Sequence, residues 1–160
     1  MFRITVLAVG RLKERYLVEG TSEYLKRLAP YARVEVVEVD DERAGENLTS
    51  SGREKVKEKE GERLSKWIRP GTFLIALDIK GQDFSSGQMA GFLKELALEG
   101  KADVTFVIGG SLGLSRSTLD RAALRITFSK FTFPHQLMRL ILLEQVYRWF
   151  KIMRGEPYHK

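Results

Sequence analysis

Short apolar runs rich in β-branched residues recur along the chain at 4–9, 34–39, 73–77, 104–108 and 124–128, each bounded by glycine, proline or charged residues. Runs of that length and composition predict five strands. Between them the spacing shifts to that of helices: 13–28 gathers Tyr16, Leu17, Tyr24, Leu25 and Leu28 on one side, and Ser86–Leu98 carries Met89, Phe92, Leu93 and Leu96 as a stripe. Ser51 with Glu54, and Ser85 with Gln88, have the spacing of a capping box, in which a hydroxyl and a side-chain acceptor satisfy free amides at a helix start. The helix predicted over 51–68 is different, because its middle is nearly all Glu, Lys and Arg with Val56 as the lone apolar residue, the pattern of a solvated, ion-paired helix. Strands alternating with helices predict an α/β fold, a mostly parallel sheet of five to six strands with helices on both faces. At 160 residues, with no internal repeat or linker, residues 1–160 read as a single domain.

The last predicted helix, His135–Met153, has 12 apolar residues among its 19. They cover more than one stripe, so one face meets the sheet and another is left to cover, which predicts a homodimer.

Composition removes several classes of chemistry. Zero cysteines exclude thiolate nucleophiles and cysteine-based metal sites, and two histidines are too few for a His-rich centre, so no metal is expected. The opening residues read as a buried strand rather than a secretory signal, and no stretch approaches the roughly 18 uncharged apolar residues of a membrane span, so a soluble, cytoplasmic protein is expected. The net charge of +6 is uneven: residues 101–160 hold ten basic against four acidic side chains, and the rest of the chain is balanced. Such asymmetry fits a polyanionic partner, nucleic acid before membrane, or a solubility surface.

Three segments carry candidate chemistry. After the strand at 104–108 comes Gly109-Gly110-Ser111-Leu112-Gly113, with glycines that let backbone amides approach a ligand at the carboxyl edge of a sheet. The spacing is neither the dinucleotide fingerprint nor a P-loop. It does satisfy G-x-S-x-G, so a serine hydrolase with Ser111 as nucleophile, Asp120, and His135 or His159 is an alternative. The second segment, Ser129-Lys130-Phe131-Thr132-Phe133-Pro134-His135, joins the fifth strand to the last helix, with Thr132 as a cap, Pro134 in the first turn, and two phenylalanines as apolar faces for a flat ring. The third is Arg148 with the closing Arg154-Gly155-Glu156-Pro157-Tyr158-His159-Lys160. This segment reads either as a frayed tail or as an arm able to stack on a base and grip phosphate.

These segments, with Leu77-Asp78-Ile79-Lys80-Gly81, Leu143-Glu144-Gln145-Val146-Tyr147-Arg148 and Pro157-Tyr158-His159, resemble the ribosomal RNA large subunit methyltransferase H family over essentially the whole chain. The family consists of small SPOUT-class enzymes that methylate N3 of a pseudouridine in helix 69 of bacterial 23S rRNA. The resemblance implies a C-terminal trefoil knot and an S-adenosylmethionine site formed by Leu77, Gly109, Gly110, Gly113, Ser129, Lys130, Phe131, Thr132, Phe133 and Pro134. It also implies a homodimer acting on the assembled 70S ribosome, with Arg148, Tyr158 and His159 as catalytic residues and His135, Arg139, Glu144, Arg154 and Lys160 as substrate contacts. The chain departs from the family's pattern at Ser111 and Leu112 in the glycine loop and at Lys160, where many members end in arginine. A non-catalytic RNA-binding dimer is the remaining alternative.

Overall fold

The computed structural model describes residues 1–159, so Lys160, expected among the substrate contacts, lies outside the described residues. Five strands and five helices alternate: β1 (Phe2–Val9), α1 (Arg15–Leu28), β2 (Ala32–Val39), α2 (Ser50–Ser65), β3 (Phe73–Asp83), α3 (Ser86–Leu98), β4 (Asp103–Ile108), α4 (Arg116–Arg121), β5 (Leu124–Thr127) and α5 (His135–Met153). All pairings are parallel, in the order β2-β1-β4-β3-β5.

Side chains of a strand alternate between faces, so one sheet must serve two cores. Ile4, Val6 and Ala8 of β1 and Val104, Phe106 and Ile108 of β4 pack with Leu28, Met89, Leu93, Leu142, Val146 and Trp149 under α1, α3 and α5. Leu7, Val9, Leu74, Ala76 and Val107 meet Leu64, Ile68 and Leu114 on the side of α2 and α4. The helix expected to be solvated therefore has a buried face of Val56, Glu60, Gly61 and Leu64. Its glycine makes this contact close: a β-carbon at Gly61 would stand 2.7 Å from Ser115 Oγ.

Local signals were met unevenly. Ser85 and Gln88 form both bonds of the expected capping box. At α2, however, the cap is Thr49, whose hydroxyl accepts from the Gly52 amide at 3.1 Å, while Glu54 pairs with Lys57. At α5 the N-cap position is Pro134 and no side chain caps the helix, so Thr132 does not play the expected part.

Two irregularities place the functional edge. Leu77 and Gln82 of β3 both pair with Ile126 of β5, so residues 78–81 bulge out of the sheet at its carboxyl end. A β-carbon at Gly81 would lie 2.6 Å from the Ile126 carbonyl carbon, so the two backbones cross at a separation only glycine allows. The connection from β4 to β5, carrying α4, passes over β3 to reach the sheet's edge.

Candidate functional site

The carboxyl ends of β3, β4 and β5 surround a cleft of about 700 Å³, within the range typical of small-molecule sites. Leu77, Gly109, Gly110, Gly113, Ser129, Phe131, Thr132 and Phe133 all line it, together with His135. Residues drawn from two separate turns in the sequence thus meet in one place. Lys130 and Pro134 belong to the second turn but do not line the cleft.

The glycine turn closes when the Gly113 amide donates to the Gly110 carbonyl at 3.0 Å, with Gly113 at φ +91°, a left-handed conformation that a side chain would strain. A β-carbon at Gly109 would stand 2.6 Å from the Gly113 carbonyl carbon. Ser115 then caps α4, accepting from the Thr118 amide at 3.2 Å, and anchors the loop beneath Gly61 of α2. In the second turn Thr127 Oγ1 donates to the Ser129 carbonyl at 2.9 Å and the Phe131 amide donates to Ser129 Oγ at 3.0 Å. Phe131 is 79% exposed and Phe133 38%, beside α5 residues that are only half-buried. An apolar surface so placed is the region expected for a partner or a ligand.

His135 faces the cleft at the start of α5, and burial, followed by the charge of nearby Arg139, holds its imidazole below the ordinary pKa, so it is neutral near pH 7. Arg139 itself lies elsewhere. Expected as a substrate contact, it is fully buried, ion-paired with Glu38 and donating to the Gly10 carbonyl at 3.0 Å. Glu38 also accepts from the Leu12 amide at 2.9 Å, so the guanidinium ties α5 to the loop after β1; its Nε is unpartnered but buried, out of reach of a phosphate.

Lys57, Lys80, Arg116 and Arg125 also line the cleft, opposed by Asp78, and none was singled out from the sequence. Lys57 was hidden because α2 read as uniformly solvated, although its spacing of three residues from Glu60 puts both near the inward side of the helix.

The described part of the C-terminal segment, 154–159, does not fray. Tyr31 O–H donates to Glu156 at 2.5 Å and Lys151 donates to the same carboxylate at 2.8 Å. Beyond this anchor Tyr158 packs edge-on against Tyr147, and its hydroxyl donates to Glu144 Oε1 at 3.1 Å. Burial, then the nearby Tyr24 and the charge of Glu144, pushes the Tyr158 phenol upward, so it stays protonated. Arg148 donates to the same Glu144 oxygen from Nε at 3.0 Å, lies 4.8 Å from the Tyr158 ring centre, and reaches His159 Nδ1 at 3.2 Å. A guanidinium only donates, so Nδ1 accepts and the other ring nitrogen carries the proton. Arg148, Tyr158, His159 and Glu144 are therefore one cluster. Arg154 lies apart from it, its guanidinium 4.5 Å from the Tyr31 ring centre. Arg148 follows His135 by thirteen residues of continuous helix, a rise of about 20 Å, so the cluster is remote from its own chain's cleft.

The hydrolase alternative does not survive this geometry. Asp120 is engaged by Arg116 at 3.4 Å and Arg125 at 3.1 Å, and the positive φ of the loop belongs to Gly113 and to no serine. The strained serine of a nucleophile elbow is thus absent among the described residues.

A family model described as "Predicted SPOUT methyltransferase" matches residues 2–159. Among curated proteins, the chain is 67% identical to a ribosomal RNA large subunit methyltransferase H of Pelotomaculum thermopropionicum, covering 99% of each chain. It is 61% identical to the protein of the same name from Carboxydothermus hydrogenoformans, covering 98% of this chain and 99% of that one. Among solved structures, a probable methyltransferase from Bordetella pertussis superposes with a TM-score of 0.57 at 12% identity, over 95% of this chain and 96% of that one. A probable methylase family protein from Haemophilus influenzae gives 0.53 at 10% identity, over 99% of this chain and 70% of that one.

Proposed function

The chain belongs to the SPOUT methyltransferases, and within them to the ribosomal RNA large subunit methyltransferase H family, and from that premise we propose that it transfers a methyl group from S-adenosylmethionine to N3 of a pseudouridine in helix 69 of 23S rRNA. The substrate in this reading is the assembled 70S ribosome, the working form is a cytoplasmic homodimer, and residues 1–160 act as one domain. The observation that carries the reading is the meeting of the 109–113 and 129–133 turns at one cleft, where apolar, glycine and hydroxyl residues outnumber the ionisable ones. The bulge at 78–81 and the backbone crossing at Gly81 support threading of the C-terminal third into a trefoil knot.

When bound, the cofactor supplies an already activated sulfonium methyl, so the protein's task is chiefly orientation and exclusion of water. Gly109, Gly110 and Gly113 present main-chain groups without steric obstruction, and Phe131 and Phe133 offer faces for an adenine ring. The acceptor needs a second set of groups, and the arm cluster provides them from the partner protomer. This assignment follows from the remoteness of the cluster from its own cleft and from the half-buried apolar surface of α5 beside that cleft. Glu144 holds Arg148 and Tyr158 in a fixed relation, so the guanidinium is preorganised to stabilise negative charge as N3 loses its proton. Arg154 and Lys160 are in this reading further contacts to the RNA, and Glu144 acts by holding Arg148 and Tyr158.

Mass spectrometry of helix 69 from ribosomes incubated with the protein and S-adenosylmethionine tests the proposal. One added methyl on the pseudouridine is the expected result, faster on 70S particles than on free rRNA. Equal rates on both would remove the 70S assignment, and no methylation would remove the reaction.

A further inference from the structure

Beside the glycine turn lies a carboxylate that the reading above leaves unused. Glu60, on the inward face of α2, is 4% exposed. Its Oε2 accepts from the Glu42 amide at 3.0 Å. The nearby cations are committed to other acids: Lys57 to Glu54 at 2.7 Å, and Lys59 and Arg63 to Glu42. A buried anion without a positive partner is costly, and a fold that retains one at a ligand site has a use for its field. A β-carbon on Gly110 would stand 3.3 Å from both Glu60 carboxylate oxygens and 3.1 Å from Val9 Cγ1. The missing side chain thus lets the charge approach the turn, and Gly110 itself lines the cleft.

Resting on the assignment of that cleft to a methyl donor, we propose that Glu60 reads the charge on the ligand's sulfur, holding the cationic sulfonium donor and releasing the neutral thioether product. Transfer breaks the sulfur–methyl bond with its electron pair kept by sulfur, forms a nitrogen–methyl bond from the N3 electron pair, and releases the N3 proton to solvent water. The ligand in the cleft therefore loses one positive charge while its ammonium and carboxylate are unchanged. A fixed negative charge about one residue's thickness away weakens binding at that moment and not before. Glu60 is in this sense a positioning and specificity residue, acting across Gly110.

The test is calorimetric binding of S-adenosylmethionine and S-adenosylhomocysteine to the full chain, to Glu60→Gln and to Glu60→Asp. The Gln variant should lose about tenfold in affinity for the donor and less than about twofold for the product, while Asp keeps part of the preference. An unchanged donor-to-product ratio in Glu60→Gln overturns the proposal, as does equal weakening of both ligands, the signature of a purely structural support. Should the Gln variant not fold, the same ratio is measured from about pH 8 down to pH 5 in a His135→Gln background, which removes the cleft's histidine. Burial places the Glu60 carboxyl above its usual range, with the Glu42 amide and Arg63 opposing and the charges of Asp41 and Glu42 raising it further. The preference should accordingly fade toward acid, and a ratio independent of pH overturns the proposal. Failure of the unaltered protein to bind either ligand would instead overturn the donor assignment, and the proposal with it.

Discussion

Replacing Gly109 by alanine isolates the steric logic of the glycine turn. The new β-carbon would meet the Gly113 carbonyl carbon at 2.6 Å, its oxygen at 2.8 Å and the Leu114 amide nitrogen at 2.9 Å. All three are backbone atoms, so no rotamer change relieves the clash. Restoring an ordinary 3.4 Å contact from 2.6 Å requires the far strand of the turn to move by about 0.8 Å, at a cost in the range of overpacking, about 1–3 kcal/mol. For a chain of this size that is a Tm loss of about 4–8 °C at the middle of the range. Gly113→Ala meets nothing within 4 Å but must hold φ +91°, a strain of about 1–2 kcal/mol. The two variants therefore differ in kind: displacement at Gly109 moves main-chain groups that face the ligand, so the donor-induced rise in Tm should shrink well beyond the stability loss. Differential scanning fluorimetry with and without S-adenosylmethionine reads both quantities. A Gly109→Ala protein with unchanged Tm and an unchanged ligand-induced shift would refute the claim that this turn is closed by glycine and used for binding.

Arg139→Met should cost about 1–3 kcal/mol in urea unfolding because it leaves the Gly10 carbonyl and the half-buried Glu38 without their guanidinium partner, and the double change with Glu38→Gln should recover part of that loss. A change in RNA affinity without a change in stability would contradict the structural role. At the cleft mouth, Lys80→Glu and Arg116→Glu should weaken RNA binding and lower the salt slope by about one for each phosphate no longer neutralised, with donor affinity held; an unaltered slope excludes a phosphate-binding role there. His135 has a folded-state pKa below its ordinary 6.5, so the native state binds fewer protons than the unfolded chain, and its contribution is fully present above 6.5 and lost as pH falls from there through the lower folded-state value. His135→Gln should flatten that part of the stability profile in equilibrium unfolding, and an unchanged profile would refute the assignment.

The sheet was legible because its strands are short apolar runs, and their buried alternation on two faces follows from the same residues. Three features were not. The extension of β3 to Asp83 runs through Asp78, Lys80 and Gly81, a polar stretch that no strand pattern marks, and its reality depends on β5 arriving from far along the chain. The helix α4 spans only six residues, too few for periodicity, though Ser115 and Thr118 announce its cap. The inward face of α2 was masked by Glu60, a charged residue buried by tertiary packing. At the site, the glycines of 109–113 marked a tight turn because Gly109 and Gly113 each answer a local steric demand. Arg139 misled because a cation in an apolar helix reads equally as a ligand contact or as a buried ion pair, and only the proximity of Glu38, a hundred residues away in sequence, decides. The charge surplus of residues 101–160 fitted a polyanionic partner and a solubility surface equally, and two cations of the cleft, Lys57 and Lys80, come from the balanced part of the chain.

Mixed dimers offer the most direct trial of the composite site. A subunit with a blocked cleft, Gly109→Ala, and a subunit with a disabled arm, Arg148→Ala with Tyr158→Phe and His159→Ala, are each inactive as homodimers in this account. Purified heterodimers pair one sound cleft with one sound arm across the interface and should methylate ribosomes at about half the unaltered rate per dimer. Heterodimers as inactive as both parents would show that each arm serves its own chain, or none, and would contradict the assignment.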